Sequence, residues 1–375
     1  MDIVHYNLTT TTKEGGVETF VWEISRHLAR RGHRVTIIGG AGTISRCVPG
    51  VRVLRFPFVD RMRWRALRPL RRHVELTKLL ERLSLLPGAL PNLLAARPAI
   101  VHLHKPYDFV VAPCARLAGA KVIYHGHGED FYPGDRLWTP MIDGWLSCSG
   151  YNAATVAARY GRQPEVVFNG FDPGLFHPRA PDAALRARWL RPDERAVVLI
   201  GRLQPWKGVQ YAIAALAHLP ARLRVRLLIG GAGTYRPALE RLACELGVAE
   251  RVTFLGAVPH ALMPRLLALA DVVVGASFAS ETFGMALCEA LACQRPVVAS
   301  DWAGFREVVI DGETGLVVPA QDPVALAQAL ARLLDDAALA QRLAANGRAH
   351  VTRLFTWEAV TARIERVYQR LAQHG

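Results

Sequence analysis

Two glutamates eight residues apart, Glu281 and Glu289, bracket Gly284 and Met285 in the run Gly-Ala-Ser-Phe-Ala-Ser-Glu-Thr-Phe-Gly-Met-Ala-Leu-Cys-Glu-Ala, residues 275 to 290. Carboxylates accept hydrogen bonds from sugar hydroxyls but cannot ligate phosphate. A helix beginning near Gly284 presents free backbone N–H groups and a positive dipole end, which suit a phosphate. Phosphate flanked by two polyols describes a nucleotide-sugar. A capped surface helix with two solvated glutamates is the plainer reading of the same residues.

A second set of chemistry-bearing residues lies in Gly-Arg-Leu-Gln-Pro-Trp-Lys-Gly, residues 201 to 208. The 375-residue chain carries 46 Lys+Arg against 32 Asp+Glu, a net charge of +14, yet only five of those cations are lysines. After Lys121 the single lysine is Lys207. A chain that elsewhere uses arginine has kept a compact ammonium there, which points to a geometric requirement. A third set is Tyr-His-Gly-His-Gly-Glu-Asp, residues 124 to 130. His127 or His125 would donate a hydrogen bond to a ligand; a packed loop histidine is the alternative. Neither spacing nor companions in the sequence indicate a metal there.

The elements that would position these residues follow from periodicity. A β-branched run, Asp271 to Val274, reads as a buried strand, with Glu281 in the loop after it and a helix from about Gly284. Ala196 to Ile200 is a strand, residues 201 to 208 its following loop, and 209 to 218 a helix. Further strands are read at Ile3 to Tyr6, Arg34 to Ile38, Ala99 to Leu103, Lys121 to Tyr124, Trp145 to Ser147, Glu165 to Phe168, Arg224 to Ile229, Val252 to Leu255, Pro296 to Ser300 and Leu316 to Val318. Gly15-Gly16 precedes an amphipathic helix over 17 to 30 after a polar loop, Asn7 to Glu14. That is a Rossmann-type opening without the spacing that marks a dinucleotide site. Ile-Gly-Gly-Ala-Gly-Thr follows a strand twice, at 38 to 43 and 229 to 234. The turn cluster Asn-Gly-Phe-Asp-Pro-Gly, 169 to 174, reads as a linker. The expectation is an α/β protein of two domains, residues 1–168 with a returning helix at 357–375, and residues 169–356.

Several of these features stand together in order: Gly-Gly-Val-Glu early, His-Gly-His-Gly-Glu-Asp after a strand, Asn-Gly-Phe-Asp at the linker, Gly-Arg-Leu-x-x-x-Lys-Gly opening the second half, and Glu-x7-Glu enclosing Phe-Gly-Met. Together they resemble glycosyltransferase family 4, the retaining GT-B enzymes. The resemblance implies two Rossmann-like domains facing across a cleft, the first binding acceptor and the second the nucleoside-diphosphate sugar. It implies that Arg202 and Lys207 bind the donor diphosphate, Glu281 sits by the donor sugar and Glu289 on the ribose. Gly284 and Met285 would hold phosphate or sugar oxygens, and Val258 would line the base pocket. Gly16 would let the first helix approach the phosphate and acceptor, and His127 would touch the transferred sugar. His127 is chosen over His125 because Gly128, Glu129 and Asp130 follow it. Ala276-Ser277 stands where the family usually has Pro-Ser. Hexose transfer with retention, from a UDP- or GDP-sugar to a lipid, polysaccharide or small-molecule acceptor, is the implied reaction.

No Asp-x-Asp motif is present, so transfer without metal or other cofactor is expected. An arginine, a lysine and a helix N-terminus could stabilise a departing diphosphate electrostatically. A GT-B phosphorylase or nucleotide-sugar epimerase is the competing enzyme. Residues 61 to 72 hold six arginines and no acid. Read as one helix, they place Arg61, Arg65, Arg68 and Arg72 on one face, suited to an anionic membrane surface. A basic nucleic-acid or membrane-binding protein without activity is the competing class, although Trp64 is the single aromatic residue among the arginines, too few to stack bases along the run, and no nucleic acid is expected. Six cysteines without a CxxC pair indicate neither zinc nor a disulfide framework. The start, Met-Asp-Ile-Val-His-Tyr, lacks a basic leader, so the cytoplasm is expected, with peripheral placement on the inner face of the cell membrane.

Overall fold

A computed structural model describes residues 1–44 and 46–373. The chain forms two compact units, Met1–Asn169 with the last helix, Trp357–Gln373, and Gly170–Thr356. Residues 374 and 375 of the expected returning helix lie outside the described residues.

The first unit is built on seven parallel strands: β1 (Asp2–Tyr6), β2 (Arg34–Gly40), β3 (Val51–Phe56), β4 (Ile100–Leu103), β5 (Lys121–Gly126), β6 (Gly144–Ser147) and β7 (Glu165–Val166). Their order is β3-β2-β1-β4-β5-β6-β7, so the direction of winding reverses between β1 and β4. The second unit repeats the plan with β8 (Arg195–Ile200), β9 (Val225–Gly230), β10 (Val252–Gly256), β11 (Val272–Gly275), β12 (Val297–Ser300) and β13 (Leu316–Val318). Its order is β10-β9-β8-β11-β12-β13, with the reversal between β8 and β11. Parallel sheets are covered on both faces, which is why their central strands read as continuous apolar runs. Ala196, Val197, Val198 and Leu199 of β8 are all buried. Open sheets of this kind bind ligands beyond the carboxyl ends of the strands, where the order reverses.

One face of the first sheet is covered by the helix Gly16–Arg30 and by the last helix. Phe20, Ile24 and Leu28 of the former and Val360, Ile364 and Val367 of the latter meet Ile3, Ile100 and Ile123 of the strands. Their spacing of three and four residues gives each helix one apolar stripe. Arg31 adds ion pairs to Glu358 at 2.5 Å and Glu365 at 2.7 Å. These are partly exposed and contribute about 0–1 kcal/mol each. Burial of the stripe holds the helix in place.

Three local features depart from the sequence reading. Strand β3 was not anticipated: it is a half-exposed sheet edge in which Arg52 and Arg55 interrupt the apolar run. The stretch Asn7 to Glu14 contains a buried 3-10 helix, Leu8–Thr11, capped by the Asn7 side chain. Its threonines are satisfied internally; Thr9 donates to Glu18 Oε1 at 2.5 Å and Thr11 to the Gly40 carbonyl at 2.6 Å. The arginine-rich stretch is not one helix. It folds as Arg61–Ala66, then a 3-10 turn Arg68–Leu70, then the helix Val74–Leu83, with Leu67 extended between the first two. Pro69 has no N–H to give to the Arg65 carbonyl and its ring would clash there, so an α-helix cannot run through it and Arg61, Arg65, Arg68 and Arg72 do not share one helical face.

Candidate active site

Two loops meet where the second sheet reverses. The first leaves β8 as Gly201-Arg202-Leu203, makes a 3-10 turn over Pro205–Lys207, and enters the helix Val209–His218 through Gly208 at φ +70°. The second leaves β11 at Gly275 and enters the helix Met285–Ala292 through Gly284 at φ +89°. The loops are pressed together: Phe278 N–H donates to the Trp206 carbonyl at 3.0 Å. A side chain on Gly208 would stand 1.9 Å from the Ala276 carbonyl oxygen. Gly208 therefore serves twice, through its left-handed backbone and through the space it leaves.

Glu281 is held by its own backbone. Trp302 Nε1–H donates to its carbonyl at 2.7 Å, and a β-carbon on Gly304 would meet that carbonyl oxygen at 2.0 Å. So fixed, its carboxylate forms an ion pair with Lys207 Nζ, both side chains being largely buried. Gly201, Lys207, Ser277, Glu281, Gly284 and Phe305 line one pocket at the carboxyl ends of β8 and β11. Gly284 is the cap of the following helix, so the free N–H groups of that helix start at this pocket.

Glu289 is one turn inside the helix and 6% exposed. His260 Nε2–H donates to its Oε1 at 3.0 Å. A solvated helix-face acid is thus excluded for this residue. Met285 is the first helical residue. Val258 is half-buried, packing over Gly230 at the end of β9, and Arg202 is exposed in the loop it shares with Lys207. Neither Arg202, Glu289 nor Val258 lines the pocket that Lys207 and Glu281 share.

The remaining two expected residues belong to the first unit, each at a carboxyl end of its sheet. Gly16 opens the helix after β1, and a β-carbon there would meet nothing within 4 Å. His125 is fully buried and gives its Nε2–H to the Val167 carbonyl at 3.1 Å, which commits it to the fold. His127, one step beyond β5, is half-buried. Its Nε2 faces His104 Nδ1 at 3.3 Å, and its ring meets Phe20 edge-on with centroids 4.6 Å apart.

Sequence reasoning missed His260 and the histidines behind His127, namely His5, His102 and His104. A signal was present for the latter. Histidines recur at period two after an inward isoleucine, in Ile3-x-His5, Ile100-x-His102-x-His104 and Ile123-x-His125-x-His127.

Comparison with known proteins agrees with this architecture. The family described as Glycosyl transferases group 1 matches residues 181–350, and Glycosyltransferase Family 4 matches residues 14–175. The chain is 34% identical over 255 residues to a D-inositol 3-phosphate glycosyltransferase of Thermomonospora curvata, the match taking in 63% of this chain and 58% of that one. It is 35% identical over 276 residues to a GDP-mannose-dependent alpha-(1-6)-phosphatidylinositol monomannoside mannosyltransferase of Mycolicibacterium smegmatis, covering 68% of this chain and 72% of the relative. Among solved structures, sucrose-phosphate synthase from Thermosynechococcus elongatus superposes with a TM-score of 0.80 at 24% identity, over the whole of both chains. Two Rossmann-like units, their strand orders and these matches lead to one conclusion: the chain belongs to glycosyltransferase family 4 and has its GT-B fold.

Proposed function

We propose that the chain transfers a hexose from a nucleoside-diphosphate sugar to an acceptor, with retention of anomeric configuration and without a divalent ion. The observation that carries this reading is the pocket in which Lys207, Glu281 and the start of the helix Met285–Ala292 converge at the reversal of the second sheet. In the reaction, the bond between the anomeric carbon and the β-phosphate oxygen breaks and negative charge grows on the departing diphosphate. Lys207, the helix N-terminus and Arg202 from the same loop supply fixed positive charge for it. Glu281 accepts from hydroxyls of the sugar, and Glu289 from those of the ribose. Met285 and Val258 belong to the same donor site in this reading. Gly16 and His127, at the carboxyl end of the first sheet, contact ligand there.

The acceptor is assigned to the first unit. The relatives act, by name, on inositol phosphate and on a phosphatidylinositol mannoside, and an anionic acceptor of that kind suits this chain. Its arginine-rich segment exposes Met62 and Leu67 beside Arg61, Arg65, Arg68 and Arg72. Cations interleaved with exposed apolar side chains match the interface of an anionic bilayer. No helix among the described residues is long and apolar enough to cross a membrane, so association there would be peripheral.

The test is product analysis with purified protein. UDP- and GDP-sugars are screened by thermal shift, since a bound donor stabilises by mass action. The stabilising donor is then incubated with inositol-phosphate or phosphoinositide acceptors without divalent ions. Release of nucleoside diphosphate with an α-linked product from an α-linked donor supports the reading. Interconversion of the sugar without acceptor, or activity that requires added divalent ion, refutes it.

A further inference from the structure

The face of the first sheet covered by the helices Gly16–Arg30 and Trp357–Gln373 changes character along its strands. It begins with Ile3, Ile100 and Ile123 and continues as His5, His102, His104 and His125, all of them buried. Ile3 pairs with Ile100 and His5 with His102 in the register of β1 and β4, which are the two strands at which the winding reverses.

Among their ring nitrogens, His102 Nε2 is buried without a hydrogen-bond partner, so that a polar atom inside the unit is left unpaired. His5, His102 and His104 each bring one ring nitrogen to a common point, the three atoms lying within 4.8 Å of one another. His5 Nδ1 and His104 Nε2 share a hydrogen bond at 3.1 Å, and two ligands bound at about 2.0–2.1 Å to one ion stand at a similar separation. The opposite nitrogens of two rings are engaged as those of metal-bound histidines are. His102 Nδ1 meets the Tyr368 hydroxyl at 2.6 Å and His104 Nδ1 meets His127 Nε2 at 3.3 Å.

We propose that His5, His102 and His104 form a three-imidazole binding site for a late first-row transition-metal ion inside the first unit. Imidazole suits copper and zinc. The three ligands are neutral and the site is enclosed, so an ion of single charge, Cu⁺, is favoured over Zn²⁺, because the cost of burying charge rises with its magnitude. Ligation through His104 Nε2 leaves the proton of that ring on Nδ1, donated to His127 Nε2. The proton of His127 is then confined to its Nδ1. The ion would thus brace the strands at the reversal and set the tautomer of the half-buried histidine in front of them.

The experiment uses the whole chain. Metal-free protein is titrated anaerobically with Cu⁺ against a chromophoric competitor, and in parallel with Zn²⁺; bound metal is counted after gel filtration. One equivalent of one ion is expected in the native chain, with a rise in Tm that saturates at that ratio. His102→Leu is expected to lose it while remaining folded by circular dichroism. Tyr368→Phe, which removes only the hydroxyl orienting His102, is expected to weaken binding roughly 10–100-fold. Failure of the folded native chain to retain either ion overturns the proposal. So does equal retention by native and His102→Leu chains. If His102→Leu does not fold, unchanged affinity in Tyr368→Phe overturns it.

Discussion

Lys207 and Glu281, 74 positions apart in the sequence, close an ion pair at the crevice where the second sheet reverses its order. Each would serve a different part of the proposed donor, the ammonium its diphosphate and the carboxylate its sugar. A donor bound in that way would replace this pair, leaving neither charge stranded. Lys207→Met and Glu281→Gln are each expected to lower kcat/KM by roughly 10²-fold or more, as is Arg202→Ala. Lys207 and Glu281 touch, so the double variant should fall well short of the product of the two single losses. Steady-state kinetics with purified donor and acceptor measure this; near-normal turnover in all three single variants would refute the assignment.

Glu289 has a different expected signature. It is buried, it is held by His260, and it is assigned to the ribose, which does not react. Contacts of that kind bind ground state and transition state alike. Glu289→Gln should raise the donor KM by roughly tenfold or more, the worth of a hydrogen bond to a charged group, with kcat little changed. A loss confined to kcat would place Glu289 at the reacting centre instead.

Both sheets could be read from the sequence because their central strands are buried on two faces, as in Ala196–Leu199 and Val272–Val274. The edge strand Val51–Phe56 could not, since Arg52 and Arg55 face outward and break the pattern. The arginine segment was misjudged for a related reason: helical periodicity over 61 to 74 was genuine in composition, but Pro69 vetoes it locally. Residue types and spacing pointed to Lys207, Glu281 and Gly284, which line one pocket, because strand–loop–helix geometry fixes where a loop residue lands. They did not reveal that Lys207 and Glu281 pair, that His260 holds Glu289, or that five histidines stack behind one another. Such contacts depend on register between strands, and register is set by the whole sheet.

Two glycines separate folding from function. Gly208 has φ +70° and no room for a β-carbon, whereas Gly16 has nothing within 4 Å of that position. Gly208→Ala is expected to destabilise the second unit by about 2–4 kcal/mol, from left-handed strain together with displacement of Ala276. Gly16→Ala should leave Tm unchanged or slightly raised, since alanine is the better helix former. If a ligand approaches the start of that helix, Gly16→Ala should nevertheless lower kcat/KM. Calorimetry and kinetics on the two variants check both halves, and a Gly16→Ala enzyme of full activity would remove Gly16 from the site.

Binding to lipid should be electrostatic and salt-dependent. Replacing Arg61, Arg65, Arg68 and Arg72 together by alanine is expected to cut affinity for anionic vesicles strongly, at about 1 kcal/mol per arginine near the surface. Neutral vesicles should bind neither form. Co-sedimentation at low and high salt measures this, and equal binding of both forms to anionic vesicles would refute the assignment.

In the metal-free chain, acid should unfold the first unit earlier than an ordinary globular domain. His5, His102, His104 and His125 are held uncharged by burial, each with its pKa far below the ordinary value near 6.5. For a base whose folded pKa is depressed, it is the unfolded chain that takes up the extra proton. Stability is therefore complete above the unfolded pKa and falls as pH drops below it. One pH unit below, each group forfeits about 1.4 kcal/mol, so the four together forfeit about 5–6 kcal/mol. That rivals the 5–15 kcal/mol that typically holds a domain together. Asp108 acts in the opposite sense: burial pushes its carboxyl up to about 6, with Arg82 at 3.2 Å opposing, so acid relieves a buried charge. One group cannot offset four. Tm followed by tryptophan fluorescence should be flat from about pH 8 to 7 and fall steeply between about pH 6.5 and 5.5. A Tm that holds constant across that lower interval would mean that the imidazoles are not protected from protonation by the fold.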